Sequence, residues 1–401
     1  MKKATEINKV LTFYVLANQL KTTIIDEVNN YSIADHLFGS MILAIAMESE
    51  FKEIKDIGKL LRMMLLSDFS QANPNYSIEK NLKKGKQYQQ EIAEVNSLQT
   101  KEAKLILKYK MLDFSLTNLI SKYENSLQEQ DLLEEAMKIF MPTTPSEYPK
   151  YKEIFRFYSL NFRLKNKLRS GWDSKHWNIN TKRIERISEH IIGTIALAIA
   201  LDSEFDYATD KHTKRKVKID KIIKTLAIHE TGETLIGDIT PFDGITPKQK
   251  EEIEHEAMVD AIGNLQDHKS LIEILFSFDQ QDSYESKFSY LCDKIEADLQ
   301  AKFYQDSGLQ HSLTDQKNNC VFKSPKIQKM LDNGAKTAFD IWYEWDIDKF
   351  TNNAVFPEFE EMIKIAKENN LFTLSSFFFQ SKDKSNHKQL NNSPLSRKLK
   401  L

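Results

Sequence analysis

Apolar residues recur at three- and four-residue steps through most of the chain. Val10, Phe13, Tyr14, Leu16 and Leu20 mark one such stripe and predict a helix near the N-terminus. Ile33 to Phe51 is predicted as a second helix, with small and apolar residues crowding Gly39 to Met47, and Ile57 to Leu66 as a third. Ile219, Ile222, Ile223 and Leu226 give the inward face of another, and Ile327 to Leu371 reads as one or two more. No segment alternates apolar and polar positions at period two between turn residues, so no strand is predicted. With only 11 glycines and 9 prolines to interrupt helices, the expected fold class is all-α.

One pattern occurs twice. Ala34-Asp35-His36-Leu37-Phe38-Gly39 matches Ser188-Glu189-His190-Ile191-Ile192-Gly193, and Leu43 to Phe51 continues in register with Leu197 to Phe205. Upstream, Phe13 to Leu16 matches Phe157 to Leu160. Downstream, Leu65 to Gln71 falls on Ala227 to Glu233, and Met111-Leu112-Asp113 on Leu291-Cys292-Asp293. Two copies are too few, and each too long, for a solenoid, so two tandem helical domains are expected. The division is 1–141 for the first, 142–150 for a linker holding Pro142, Pro145 and Pro149, and 151–306 for the second. Residues 307–380 are read as a helical extension and 381–401 as a disordered, basic tail. Asn73–Gly85 and Ser307–Pro325 are predicted loops, and Asp206–Lys218 a polar, basic insertion.

The second copy carries the candidate chemistry. His190 heads an apolar helix, His229-Glu230 ends another, Glu233 follows four residues later, Gly237-Asp238 sits at a turn, and Asp293 lies downstream. Buried His, Asp and Glu are costly unless paired, hydrogen-bonded or bound to metal. Histidines and carboxylates gathered from several helices are a recognised way to hold a divalent ion, which would activate water. A zinc-protease helix is not expected, because His229-Glu230-Thr231-Gly232-Glu233 lacks the second histidine. A net charge of −2 argues against binding nucleic acid through bulk charge. With only two cysteines, Cys292 and Cys320, no disulfide framework is expected, and a cytoplasmic setting is. No signal peptide and no membrane-spanning run is read from the sequence. Cys292 is expected as a small buried residue, and Trp342, Tyr343 and Trp345 as core or interface packing.

Taken in order, these residues resemble the HD-superfamily metal-dependent phosphohydrolases, and within them the 5′-deoxynucleotidase branch. The matching set is Arg169-Ser170-Gly171-Trp172, Arg183, Glu185, Ser188-Glu189-His190, His229-Glu230-x-x-Glu233, Gly237-Asp238 and Asp293. It spans Tyr151 to Asp306 well and the first copy weakly. The resemblance implies two tandem HD-type all-α domains and a 5′-nucleotidase-like phosphomonoester hydrolase acting on a nucleoside 5′-monophosphate. It implies a divalent ion (Mn, Co, Mg, Zn or Fe) on His190, His229, Glu230 and Asp293, with Glu230 where the family has aspartate. Glu233 would handle the proton of the attacking water, Arg183 would hold phosphate, and Arg169, Trp172, Glu185 and Asp238 would shape the substrate pocket. His176-Trp177 is an alternative match for the tryptophan position.

The first copy keeps His36, Asp68 and Asp113 but has Ser67 for the histidine and Gln71 for the glutamate, so it is expected to be inert. The partner expected is a small-molecule nucleotide, with further copies of the chain an open option and neither membrane nor nucleic acid. Two other readings remain open at this point: a nucleotide-binding or scaffolding pseudoenzyme, and a di-iron oxygenase with additional ligands.

Overall fold

Helix-forming residues spaced at three and four, with few breakers, fold as that spacing predicts. The computed structural model describes residues 2–123, 129–181, 183–205, 217–353 and 355–372. Helix α1 (Lys2–Thr22) leads into a short antiparallel pair, β1 (Ile24–Asp26) and β2 (Tyr31–Ser32). These strands were not predicted, because two or three residues are too short to display a period of two. Then follow α2 (Ile33–Phe51), α3 (Ile57–Ala72), α4 (Ile78–Asn81), α5 (Gly85–Ser97), α6 (Lys101–Tyr123) and α7 (Glu129–Phe140). The second half has α8 (Tyr148–Phe162), α9 (Ile187–Glu204), α10 (Ile219–Ile228), α11 (Glu233–Ile236), α12 (Pro247–Ile262), α13 (His268–Gln280) and α14 (Tyr284–Asp306). It ends in α15 (Pro325–Asp332), α16 (Ala338–Thr351) and α17 (Glu358–Glu368). The fold is all-α. Most of the basic insertion and all of the tail from Ser381 lie outside the described residues.

Helices α2 and α9 are apolar on every side and are buried on every side, as such helices must be. A capping box starts α2: Ser32 Oγ accepts from Asp35 N at 3.2 Å, and Asp35 accepts from Ser32 N at 2.8 Å. Pro149 does not merely interrupt a helix. It sits in the first turn of α8, where its missing N–H has no intrahelical partner to lose.

The packing crosses between halves. Helix α1 lies along α9, and α8 lies along α2. Each crossing carries the same polar contact. Asp113 of α6 accepts from Tyr158 Oη at 2.8 Å and Lys165 Nζ at 2.6 Å, and its Oδ2 is 2.8 Å from His36 Nδ1. Glu296 of α14 accepts from Tyr14 Oη at 2.7 Å and from Lys21 Nζ, and its other oxygen meets His190 Nδ1.

These contacts correct the sequence match of Asp113 with Asp293. By its partners Asp113 corresponds to Glu296, and Lys110 takes the place of Asp293. The slip is about one helical turn, which leaves the apolar stripe in phase and so escapes detection from hydrophobic spacing.

Removal of residues 1–141 would strip α1 and α2 from α9. The remaining chain is expected to be insoluble or unfolded; a soluble fragment 142–401 with native helix content by circular dichroism would contradict this.

Candidate active site and metal centre

His190 lies in the first turn of α9 and is fully buried. Its Nδ1 faces Glu296, which directs Nε2 toward Asp293 Oδ1 at 3.0 Å. His229 follows the last residue of α10, and its Nδ1 donates to Leu226 O at 2.8 Å. That bond leaves Nε2 as the lone-pair nitrogen, buried and without a hydrogen-bond partner. Glu230 Oε1 is 3.3 Å from His229 Nε2 and 3.7 Å from His190 Nε2. Asp293 Oδ1 is 3.9 Å from His229 Nε2.

One ligand atom from each of His190, His229, Glu230 and Asp293 falls within 4.8 Å of the others. Two imidazoles, each held through Nδ1 by an acceptor, and two carboxylates are a donor set suited to a divalent transition metal. The residues therefore fit the ion, and the orphaned His229 nitrogen is the observation that tests it.

The electrostatics favour a cation. Burial raises Asp293, but Lys294 together with His190 and His229 outweighs it and holds the carboxyl well below its usual range. Burial likewise raises Glu230, and His229 overrides it with help from Arg169, so this carboxyl too stays ionised. His190 is opposed by burial and Arg169, yet Glu296 and Asp293 push it up to about 9. Glu233 goes the other way: burial, then the charges of Glu230 and Asp238, push it well above the carboxylate range. Its Oε2 is buried with no hydrogen-bond partner.

Glu233 stands on a different helix from the one that His229 follows. Helix α10 stops at Ile228, and a turn precedes α11, which begins at Glu233. The turn places Glu233 on the same cavity as His229. The cluster opens on a cavity of 530 Å³. Arg169, Trp172, Glu233 and Asp238 line it, as do both His176 and Trp177. Arg169 Nη1 is 3.2 Å from Glu230 Oε1, and Asp238 Oδ2 accepts from Ser170 N at 2.8 Å, pinning the loop that carries Arg169.

Two expected pocket residues lie elsewhere. Glu185 is buried behind Trp172, whose indole N–H donates to it at 3.0 Å. Arg183 points to the seam between the halves, where it donates to Lys21 O at 2.9 Å and pairs with Glu189 and, at 3.3 Å, Asp35. The physical reason is a pair of close carboxylates there. Burial first, and then Asp35, push Glu189 up to about 7, and Arg183 counters them. The guanidinium at the cavity is that of Arg169.

Other residues at the site were not assigned to it from the sequence. Glu296 is one helical turn after Asp293, a spacing that could have shown it. Trp342 and Trp345, expected as packing, line the cavity from α16. Trp342 stands 4.9 Å from Trp172 between ring centroids, and Trp345 stands 6.0 Å from Phe242. Their distance along the chain from the other pocket residues left no local signal.

In the first half, His36 has no comparable setting. Among the described residues, no cluster of three ligating side chains includes it. Lys110 Nζ pairs directly with Asp68, and Gln71 Nε2 is 3.4 Å from Ser67 Oγ.

Residues 162–333 match the HD domain family. This segment is thus similar to the HD domain, and the match supports an HD-superfamily phosphohydrolase near the 5′-deoxynucleotidase branch. Similar curated proteins carry the name 5′-deoxynucleotidase HDDC2. The one from Homo sapiens is 28% identical over 157 residues, which is 39% of this chain and 70% of that protein. The Dictyostelium discoideum protein is 28% identical over 151 residues, 37% of this chain and 76% of its own length. The Xenopus laevis protein is 25% identical over 185 residues, 45% of this chain and 85% of its own length. No helix among the described residues is long and apolar enough to cross a membrane.

The purified chain is expected to bind divalent metal, and His229→Ala to lose it while remaining folded. Elemental analysis of both proteins decides this; equal metal content would place the ion elsewhere.

Proposed function

We propose that this chain hydrolyses phosphate monoesters in a metal-dependent reaction, with a nucleoside 5′-monophosphate as substrate. The observation that carries the reading is the four-ligand cluster opening on a cavity that joins an arginine to an aromatic wall. The names of the similar proteins support the nucleotide as substrate.

His190, His229, Glu230 and Asp293 would hold the ion. When bound, a divalent ion acidifies water and neutralises charge developing on the phosphoryl group. Glu233 projects a partnerless carboxyl oxygen into this region and accepts the proton of the attacking water. The water oxygen bonds to phosphorus, the bond from phosphorus to the ester oxygen breaks, and the leaving nucleoside oxygen takes up a proton. Arg169 offers donors to the phosphate oxygens, in place of Arg183. Asp238 holds the Arg169 loop by accepting from Ser170 N.

Trp342, backed by the buried Trp172, offers a ring face for the base. Trp342 Nε1 is buried without a hydrogen-bond partner, leaving a donor for a ligand. Helix α16 lies beyond the matched 162–333 segment, so this wall belongs to the extension of this chain. The same reading assigns the chemistry to the second half, with the boundaries near 1–141 and 151–306 and the extension contributing to the pocket.

Phosphate release from a panel of nucleoside monophosphates, with each divalent metal added in turn, tests the reading. A folded, metal-loaded protein that releases none would overturn it. Glu233→Gln is expected to lower kcat by about 100-fold, the usual size of a general acid–base contribution, with metal content unchanged.

Trp342→Ala is expected to raise KM by about 10-fold, within the range for losing one base–aromatic contact, with little change in kcat. Unchanged KM would remove this ring from the substrate site.

A further inference from the structure

Lys21 belongs to α1, far outside the segment that matches the HD domain, yet its side chain is almost completely buried inside the second half. Its ammonium contacts Glu296, lies 2.5 Å from Glu185 Oε1 and donates to Gln300 Oε1 at 3.2 Å. Tyr14, also on α1, donates to the same Glu296 oxygen at 2.7 Å. The other oxygen of Glu296 holds His190 Nδ1, and His190 Nε2 faces the ligand cluster. The second oxygen of Glu185 holds the indole of Trp172.

One ammonium therefore supports both a ligand of the metal centre and a wall of the cavity. Glu185, His190 and Glu296 could themselves surround an ion, but Lys21 already supplies the positive charge there. Gly193 makes room for this arrangement, since a Cβ there would collide with Glu296 and Lys21.

We infer that Lys21 and Tyr14 are positioning residues supplied to the metal centre by the opposite half of the chain. They hold Glu296, which orients His190 so that Nε2 presents its lone pair to the cation. The first half is then a working part of the site although its own cluster is degenerate. The reciprocal contact provides a control. Lys165 and Tyr158 hold Asp113 beneath His36 in the same way, but that histidine faces no ligand cluster.

The test uses the full chain stripped of metal and titrated with manganese, with folding checked by circular dichroism and thermal unfolding. Lys21→Met is expected to weaken manganese affinity by about 10- to 100-fold, the range seen when a residue supporting a metal ligand is lost. Lys21→Arg is expected to restore part of it. Tyr14→Phe should move affinity the same way by less, and it carries the test if Lys21→Met fails to fold. Lys165→Met removes an equally buried cation and should leave manganese affinity unchanged.

Wild-type affinity in folded Lys21→Met, or in Tyr14→Phe if the former does not fold, would overturn the inference. So would an equal loss of affinity in folded Lys165→Met. The readout is metal affinity, so it stands apart from whether the substrate is a nucleotide.

Discussion

Two carboxylates, Glu296 and Asp113, have lost contact with water, and each needs a cation close by. In both cases the lysine comes from the other half of the chain: Lys21 for Glu296 and Lys165 for Asp113. Removing one partner of such a buried pair costs about 3–5 kcal/mol, a large share of a typical domain's stability. The pairing therefore ties the packing of α1 on α9 to the packing of α8 on α2. Neither half completes its polar interior alone. The reciprocal use of the same contact is the logic of a self-complementary interface between subunits, here contained in one chain.

That shared framework supports two very different clusters. In the second half, His229, Glu230 and Asp293 gather around His190, concentrating negative charge beside imidazole nitrogens. In the first half, Ser67, Asp68 and Lys110 are the counterparts of those three residues. Lys110 pairs with Asp68, so a covalently attached ammonium neutralises the carboxylate. Helix packing survives the exchange because the apolar residues of α2 and α9 are retained, whereas an ion site depends on every donor.

The cavity adds a second asymmetry. Its polar end is built from α9, α10, α14 and the loop carrying Arg169. Its aromatic end comes from α16, which follows the matched HD segment. The cavity thus brings the candidate ligands and Arg169 together with rings contributed by α16, which also adds Asp346 and Lys349 to the lining.

Much of this was written in the sequence. Helical spacing, scarce glycine and proline, and the recurrence of His36 and His190 in like surroundings were enough for an all-α chain. The order of His190, His229, Glu230, Glu233 and Asp293 was enough for a candidate metal centre, because those residue types are costly to bury without a partner. Other features depended on contacts between distant segments. Arg183 and Arg169 look equally suitable on paper, but only the fold shows Arg183 committed to the Asp35–Glu189 pair and Arg169 at the cavity. A one-turn slip along α6 leaves the hydrophobic stripe in phase, so the sequence could not decide between Asp113 and Lys110 as the counterpart of Asp293. Trp342 and Lys21 carry no local mark of their roles. Hydrophobic period determines which face of a helix is buried, and tertiary packing decides which buried side chains meet.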